Sequence, residues 1–172
     1  MKHKLQASIE YPAIWDAERG MYVWAIPDSK SMLSLTGLLA NAPFKTKDGT
    51  ELHCTILHCK PGTTLPDYRS ITLPEDKPRY GSVVGVLHWI DHKQRDIFVF
   101  DIKSDDLSEV HDQLVSVGFQ HSHPDFNPHM SIGKELELDT AQRIWFKTMN
   151  EKLNNTPIEI TFNSELYATS LE

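Results

Sequence analysis

Two short segments of this chain repeat one arrangement of residue types. His53-Cys54-Thr55-Ile56 and His129-Met130-Ser131-Ile132 each read imidazole, apolar, hydroxyl, apolar. Side chains alternate along a β-strand, so in each segment the imidazole and the hydroxyl share one face and the apolar pair shares the other. Each strand can then anchor itself in a core while presenting His and hydroxyl to one surface. The two histidines stand 76 positions apart (53 to 129), close to half of the 172 residues. Two related lobes packed side by side would bring both pairs to one cleft.

Such a set suits metal-free phosphodiester chemistry. One neutral His takes a proton from the nucleophile, a water or a ribose 2′-hydroxyl. The other, as imidazolium, gives a proton to the leaving oxygen. An ordinary His pKa of about 6.5 lets both forms coexist near neutrality. Thr55 and Ser131 can donate hydrogen bonds to phosphate oxygens as charge builds in the transition state. A single His-x-Thr or His-x-Ser arises often by chance. Two copies, with apolar partners in register, carry the signal. Which His is acid and which is base does not follow from the spacing.

The elements that must position these residues are legible around them. MYVWAI (21–26) reads as a strand. Asp28 or Ser29 caps a helix to about Ala40. Residues 41–50 form a loop, and LHCTILHC (52–59) a second strand. Residues 60–80 hold Pro61, Pro66, Pro74 and Pro78 and read as a binding loop or a solvated one. SVVGVLHWI (82–90) and DIFVFDI (96–102) form a hairpin across DHKQR. Ser104 or Asp105 caps a helix through Val117, stopped by Gly118. Residues 121–128 are a loop, and HMSIG (129–133) a short strand. Asp139 opens a helix to about Leu153, with Ile144, Trp145, Met149 and Leu153 as its apolar stripe. Pro157 starts a last strand, in which Ile158, Ile160, Phe162, Ser164 and Leu166 share one face. Hairpins interrupt the strand–helix alternation, so the class expected is α+β. One domain over 1–172 is expected, with 1–20 as an N-terminal arm.

Composition narrows the ligand. The chain carries 17 basic and 24 acidic residues, a formal charge of −7. Binding a long nucleic-acid backbone relies on a positive footprint, so a small anion held by a few placed groups fits better. No apolar run approaches the roughly 18 residues of a membrane span, and MKHKLQASIEYP lacks a signal-peptide core. No obligate protein partner is expected. Cys54 and Cys59 are five apart, hence on opposite strand faces and unable to bridge, which reads as a reducing compartment.

The pair HCTI and HMSI resembles the two His-x-Thr/Ser motifs of the two-histidine (2H) phosphoesterase superfamily. The order of elements resembles its fold, two pseudo-symmetric lobes of antiparallel sheet with outer helices around a central cleft. Within it, GMYVWA, ELHCTILHC and VHDQLVSVGFQHSHPDFNPHMSI resemble the phage anti-CBASS protein family, which degrades cyclic oligonucleotide signals of bacterial antiphage defence. The resemblance implies metal-independent cleavage of a 3′–5′ bond in a cyclic di- or trinucleotide, through a 2′,3′-cyclic phosphate, in the host bacterial cytoplasm. It implies no cofactor. His53, Thr55, His129 and Ser131 would be the catalytic set, with Ser131 where the family often has Thr. Two other readings stay open: a 2H enzyme acting on RNA ends or 2′,3′-cyclic phosphates, and a non-catalytic sponge.

Bases need stacking surfaces and edge contacts. Tyr22 and Trp24 share a face opposite Val23 and Ala25, and point into the cleft if the smaller pair meets the helix. The family's use of a first-strand aromatic against a base would fall on Tyr22, while Trp24 equally suits the core. On the last strand, Glu165 can accept from a base amino group and Tyr167 can stack. Trp89 is a weaker candidate for base contact, since it also suits the packing of the hairpin. Arg69, Arg79, Tyr68 and Tyr80 can bring the proline-rich loop over a ligand.

The remaining histidines invite a zinc reading that strand geometry opposes. His53 and His58 are five apart, on opposite faces, and Cys54 points away from His53. His121 and His123 read as loop or cleft-rim residues. His3, His88, His92 and His111 read as surface or structural residues. No Gly-x-Ser-x-Gly or phosphate-binding glycine loop occurs.

Overall fold

The computed structural model describes residues 3–5, 17–67, 69–91, 93–134 and 138–171. Most of the expected arm, together with Tyr68 and His92, lies outside the described residues. The elements run β1 (His3–Lys4), β2 (Met21–Pro27), α1 (Ser29–Leu39), β3 (Cys54–Cys59), β4 (Arg79–Ile90), β5 (Asp96–Lys103), α2 (Asp105–Ser116), β6 (His129–Lys134), α3 (Thr140–Asn155) and β7 (Ile158–Ser170). The class is α+β, with an antiparallel sheet and three helices.

Each helix starts where a short polar side chain meets an amide that has no partner within the helix. Asp28 accepts from Ser31 N–H at 2.7 Å, Ser104 Oγ from Leu107 N–H at 3.1 Å, and Asp139 from Gln142 N–H at 2.8 Å. Helix α2 ends before Gly118, whose φ of +112° a side chain would strain.

The strands lie in the order β3-β2-β7-β4-β5-β6, and β1 adds to β7. β7 joins the two halves. Its first residues, Ile158 to Phe162, pair with β4, and the stretch from Phe162 to Ser170 pairs with β2. One sheet face is apolar. Met21, Val23, Ala25, Phe98, Phe100, Met130, Ile132, Phe162 and Leu166 are buried with Leu35, Leu39, Leu107, Leu114 and Leu153 of the helices. Each such side chain contributes roughly 1.5–3 kcal/mol by leaving water. Helix α3 lies close on β4, where a Cβ on Gly85 would come within 2.6 Å of Asn150 Oδ1. That oxygen accepts from Val86 N–H at 3.0 Å.

Three expectations are corrected. In α3, Ile144 is exposed, and the buried side is Gln142 and Leu153 with Trp145, Phe146 and Met149 half-covered. Helical spacing puts positions 142, 145, 146, 149 and 153 on one face and 144 off it. Arg79 is not available to a ligand. It is fully buried, donating to the carbonyls of Glu75, Lys77 and Ser164 at 2.6, 3.2 and 3.2 Å. It thus ties the proline-rich loop to β7.

The third correction concerns β3. Trp24 pairs with Thr55, but Val23 pairs with Leu57, so Ile56 is an extra residue in the ladder. A bulge of this kind resets the alternation of the strand beyond it. Cys54 and Cys59 therefore share the core face, both buried, opposite Ala25 and Met21. Those partners are four residues apart on β2, about 13 Å, too far for a disulfide. His58 is turned to the other face, opposite Tyr22. Among the described residues, no helix is long and apolar enough to cross a membrane.

Candidate active site

The sheet face away from the helices carries the two motifs. Cys54, Ile56, Met130 and Ile132 are fully buried, while His53, Thr55, His129 and Ser131 are half-buried. β3 and β6 are the terminal strands of the sheet, yet their ends meet. The Cys54 thiol lies at the backbone amide of His129, and Lys47 N–H, just ahead of β3, donates to Ile132 O at 3.1 Å. This contact brings the two motifs together. The Cys54 thiol is pushed up to about 12 by burial, so it is an inert packing group and not a nucleophile.

Both histidines are held the same way. His53 Nδ1 bonds Glu51 O at 2.8 Å, and His129 Nδ1 bonds Asn127 O at 2.8 Å. A carbonyl only accepts, so each Nδ1 carries a proton. The neutral ring then keeps its lone pair on Nε2. In each case the anchor is the carbonyl two residues upstream. For His53 it belongs to a 3-10 turn at Gly49–Glu51, and His53 itself sits one residue before β3. For His129 it belongs to the residue before Pro128.

Their surroundings differ. His53 Nε2 meets the Tyr22 hydroxyl at 2.7 Å, and that hydroxyl also meets Thr55 Oγ1 at 2.5 Å. Tyr22 fills the gap between the two groups of the first motif. Burial pushes the Tyr22 phenol up, so it stays protonated at neutral pH. His129 packs against Trp89, ring centres 4.3 Å apart. It pairs with Asp101 on β5, and Ser131 pairs with Val99. Burial is the largest influence on His129 and lowers its pKa, against the opposing pull of the Asn127 carbonyl.

A cavity of about 520 Å³ opens beside these groups. Tyr22, Thr55, His58, Trp89, His121, His123 and His129 line it, with the loop Pro124–Asn127 and the hairpin residues Ile90, Asp91 and Ile97. Of the sequence-predicted residues, Tyr22, Thr55 and His129 reach this wall. His53 and Ser131 do not line it, and His53 bonds the Tyr22 hydroxyl that does. Trp24 is buried between Tyr22 and Tyr167, which stacks on it at 6.1 Å. Glu165 is engaged by Lys4 at 3.1 Å and by the Tyr167 hydroxyl at 3.2 Å. Trp24, Glu165 and Tyr167 thus form a stack beside the cavity and do not line it. Among the described residues of 60–80, none lines it either.

The wall also holds His58 and Trp89. Alternation alone puts His58 on the wrong face, because a one-residue bulge leaves no mark in the run of residue types. Trp89 lies near the end of its hairpin strand, level with Ile97 and Lys134, and its ring reaches His129 by side-chain packing that strand register does not encode. His121 and His123 lie at the cleft, as their loop position suggested. Among the described residues, no group of three or more His, Cys, Asp or Glu side chains is arranged to hold a metal ion.

No curated protein matches the chain. A protein-family model does: that of the anti-CBASS protein Acb1, over residues 19–170. The matched span runs from the turn before β2 to the last residue of β7. It includes both histidine motifs and every residue of the cavity wall. The chain belongs to the anti-CBASS protein family.

Proposed function

We propose that this protein is a metal-independent phosphodiesterase that cleaves 3′–5′ bonds of cyclic di- or trinucleotides, a phage counter-defence enzyme with the 2H phosphoesterase architecture. Anti-CBASS proteins act on cyclic oligonucleotide signals. The observation that carries the chemistry is the matched anchoring of His53 and His129, each with Nδ1 on the carbonyl two residues upstream. It leaves Nε2 of each ring as the nitrogen available for proton transfer, which supports this reading.

In the first step the 2′-oxygen bonds to phosphorus and the P–O5′ bond breaks. The proton of the 2′-hydroxyl goes to His129 Nε2, and His53 Nε2–H gives its proton to the departing O5′. His129 suits the base because burial keeps it neutral, the form a base must have. Thr55 and Ser131 donate to the non-bridging oxygens. Water then opens the 2′,3′-cyclic phosphate with the two roles exchanged. The Tyr22 hydroxyl yields its place between His53 and Thr55 to the phosphate, and its ring remains to meet a base.

The test is incubation of the protein with cyclic di- and trinucleotides in EDTA, with the products resolved. Linear products that disappear in His53→Ala and His129→Ala support the reading. Inactivation by EDTA sinks the metal-free mechanism. Unchanged ligand that stays bound makes the protein a sponge.

A further inference from the structure

The cavity wall holds a second pair of imidazoles whose hydrogen bonding is opposite to that of the motif pair. His121 Nδ1 accepts from the His58 backbone N–H at 3.1 Å. It therefore carries no proton, and the neutral ring places its proton on Nε2. His58 Nδ1 is buried with no hydrogen-bond partner. Orphaned buried N–H groups are rarer than under-satisfied acceptors, so the His58 tautomer assigned to this unpartnered Nδ1 carries its proton on Nε2. Both rings line the cavity. In the neutral ring His53 and His129 carry the lone pair at Nε2, whereas His58 and His121 carry an N–H there.

The charges around this pair say what it is for. Among the described residues, none lining the cavity is Lys or Arg. Asp91 at the rim is already paired with Arg95 at 2.6 Å. Asp125 is exposed. An anion in this cavity must be met by neutral donors. His58 and His121 stay neutral because burial lowers both, His121 to about 4. His123 stands beside them, its ring 5.7 Å from His58 and 5.4 Å from His121, and a charge on it lowers His129 further. A lysine placed here would act on His129 in the same way. A neutral N–H holds a phosphate without disturbing its neighbour's proton.

We propose that His58 and His121 form a subsite for the non-scissile phosphate of a cyclic dinucleotide, bound through neutral Nε2–H donors. This rests on the phosphodiesterase reading for the choice of ligand, but its test does not need cleavage.

The probes are 2′-deoxy cyclic dinucleotides, adenine and guanine forms, and the matching 2′-deoxy dinucleoside monophosphates. They lack the nucleophile and report binding alone. The second set carries one phosphate. Calorimetry compares the wild type with His58→Phe, which keeps the ring and removes the donor. It also uses His58→Gln, whose amide can restore a donor, and His121→Asn, which keeps an acceptor for the His58 amide. We expect His58→Phe and His121→Asn to weaken the two-phosphate ligand about tenfold, the one-phosphate ligand less than twofold, and His58→Gln to recover most of the loss. Equal losses on both ligands, no loss, or a Gln variant as weak as Phe overturns the subsite, as does wild type that binds neither probe. Failure of the catalytic reading shows separately, as absent cleavage of the ribose form.

Discussion

His53 stands one residue before its strand, with Nε2 on the Tyr22 hydroxyl. His129 opens its strand, with its ring against Trp89. The backbone treats the two alike, through Nδ1 bonds of 2.8 Å to the carbonyl two residues upstream. The walls treat them differently. A hydrogen-bonding phenol meets the first, and a large apolar ring shields the second. Repeating a short motif therefore fixes tautomer and direction but not protonation. The neighbours differ: β2 contributes a phenol bonded to His53, and β4 a ring packed on His129, whose pKa burial lowers.

The most severe break of this comparison removes each imidazole in turn. His53→Ala and His129→Ala should each lower kcat by roughly a hundredfold to ten-thousandfold. The two losses look alike with a normal substrate. They separate with a 5′-thio leaving group, which departs without a proton. The thio substrate should restore His53→Ala and leave His129→Ala inactive. Rescue of the opposite variant would exchange acid and base.

The hydroxyls offer a finer distinction. Thr55→Val and Ser131→Ala each remove one donor to the phosphate, with a loss of about a hundredfold in kcat. Thr55 also touches the Tyr22 hydroxyl, whereas Ser131 lies across the site on β6. Adding Tyr22→Phe to Thr55→Val should then cost less than the sum of the single effects. Added to Ser131→Ala, it should cost the full sum. Equal coupling in both cycles would mean that Tyr22 does not belong to the first motif.

Much of this was legible in the residues. The three helix caps, the hairpin and the apolar-inward, polar-outward split of both motifs follow from local rules, and the structure carries them. The family relationship is legible in GMYVWA, ELHCTILHC and VHDQLVSVGFQHSHPDFNPHMSI, of which the last is the most specific. What alternation could not supply was the extra residue at Ile56. A bulge changes which face a side chain takes without changing the run of residue types. It misplaced His58 and Cys59 together. Arg79 misled for another reason, since a buried guanidinium bonded to three carbonyls reads, in sequence, like any loop arginine. Trp24, Glu165 and Tyr167 lie on the expected sheet face but turn to one another, a packing choice no single strand encodes.

The smallest effect addresses the walls themselves. Burial is the main cause of the lowered His129 pKa, and Trp89 is the ring packed on it. Trp89→Ala admits water to the imidazole and moves its pKa up toward the ordinary value. A base must be unprotonated, so activity rises with pH through the pKa of His129. The acidic limb of kcat/KM should therefore shift to higher pH in Trp89→Ala. Tyr22→Phe alters the other histidine's surroundings and should leave that limb in place. The position of the limb does not depend on how much binding the missing indole costs, so the shift can be read in a weakened enzyme. A shift of the alkaline limb instead would make His129 the acid. A profile unmoved on both sides would separate the burial of His129 from Trp89 altogether.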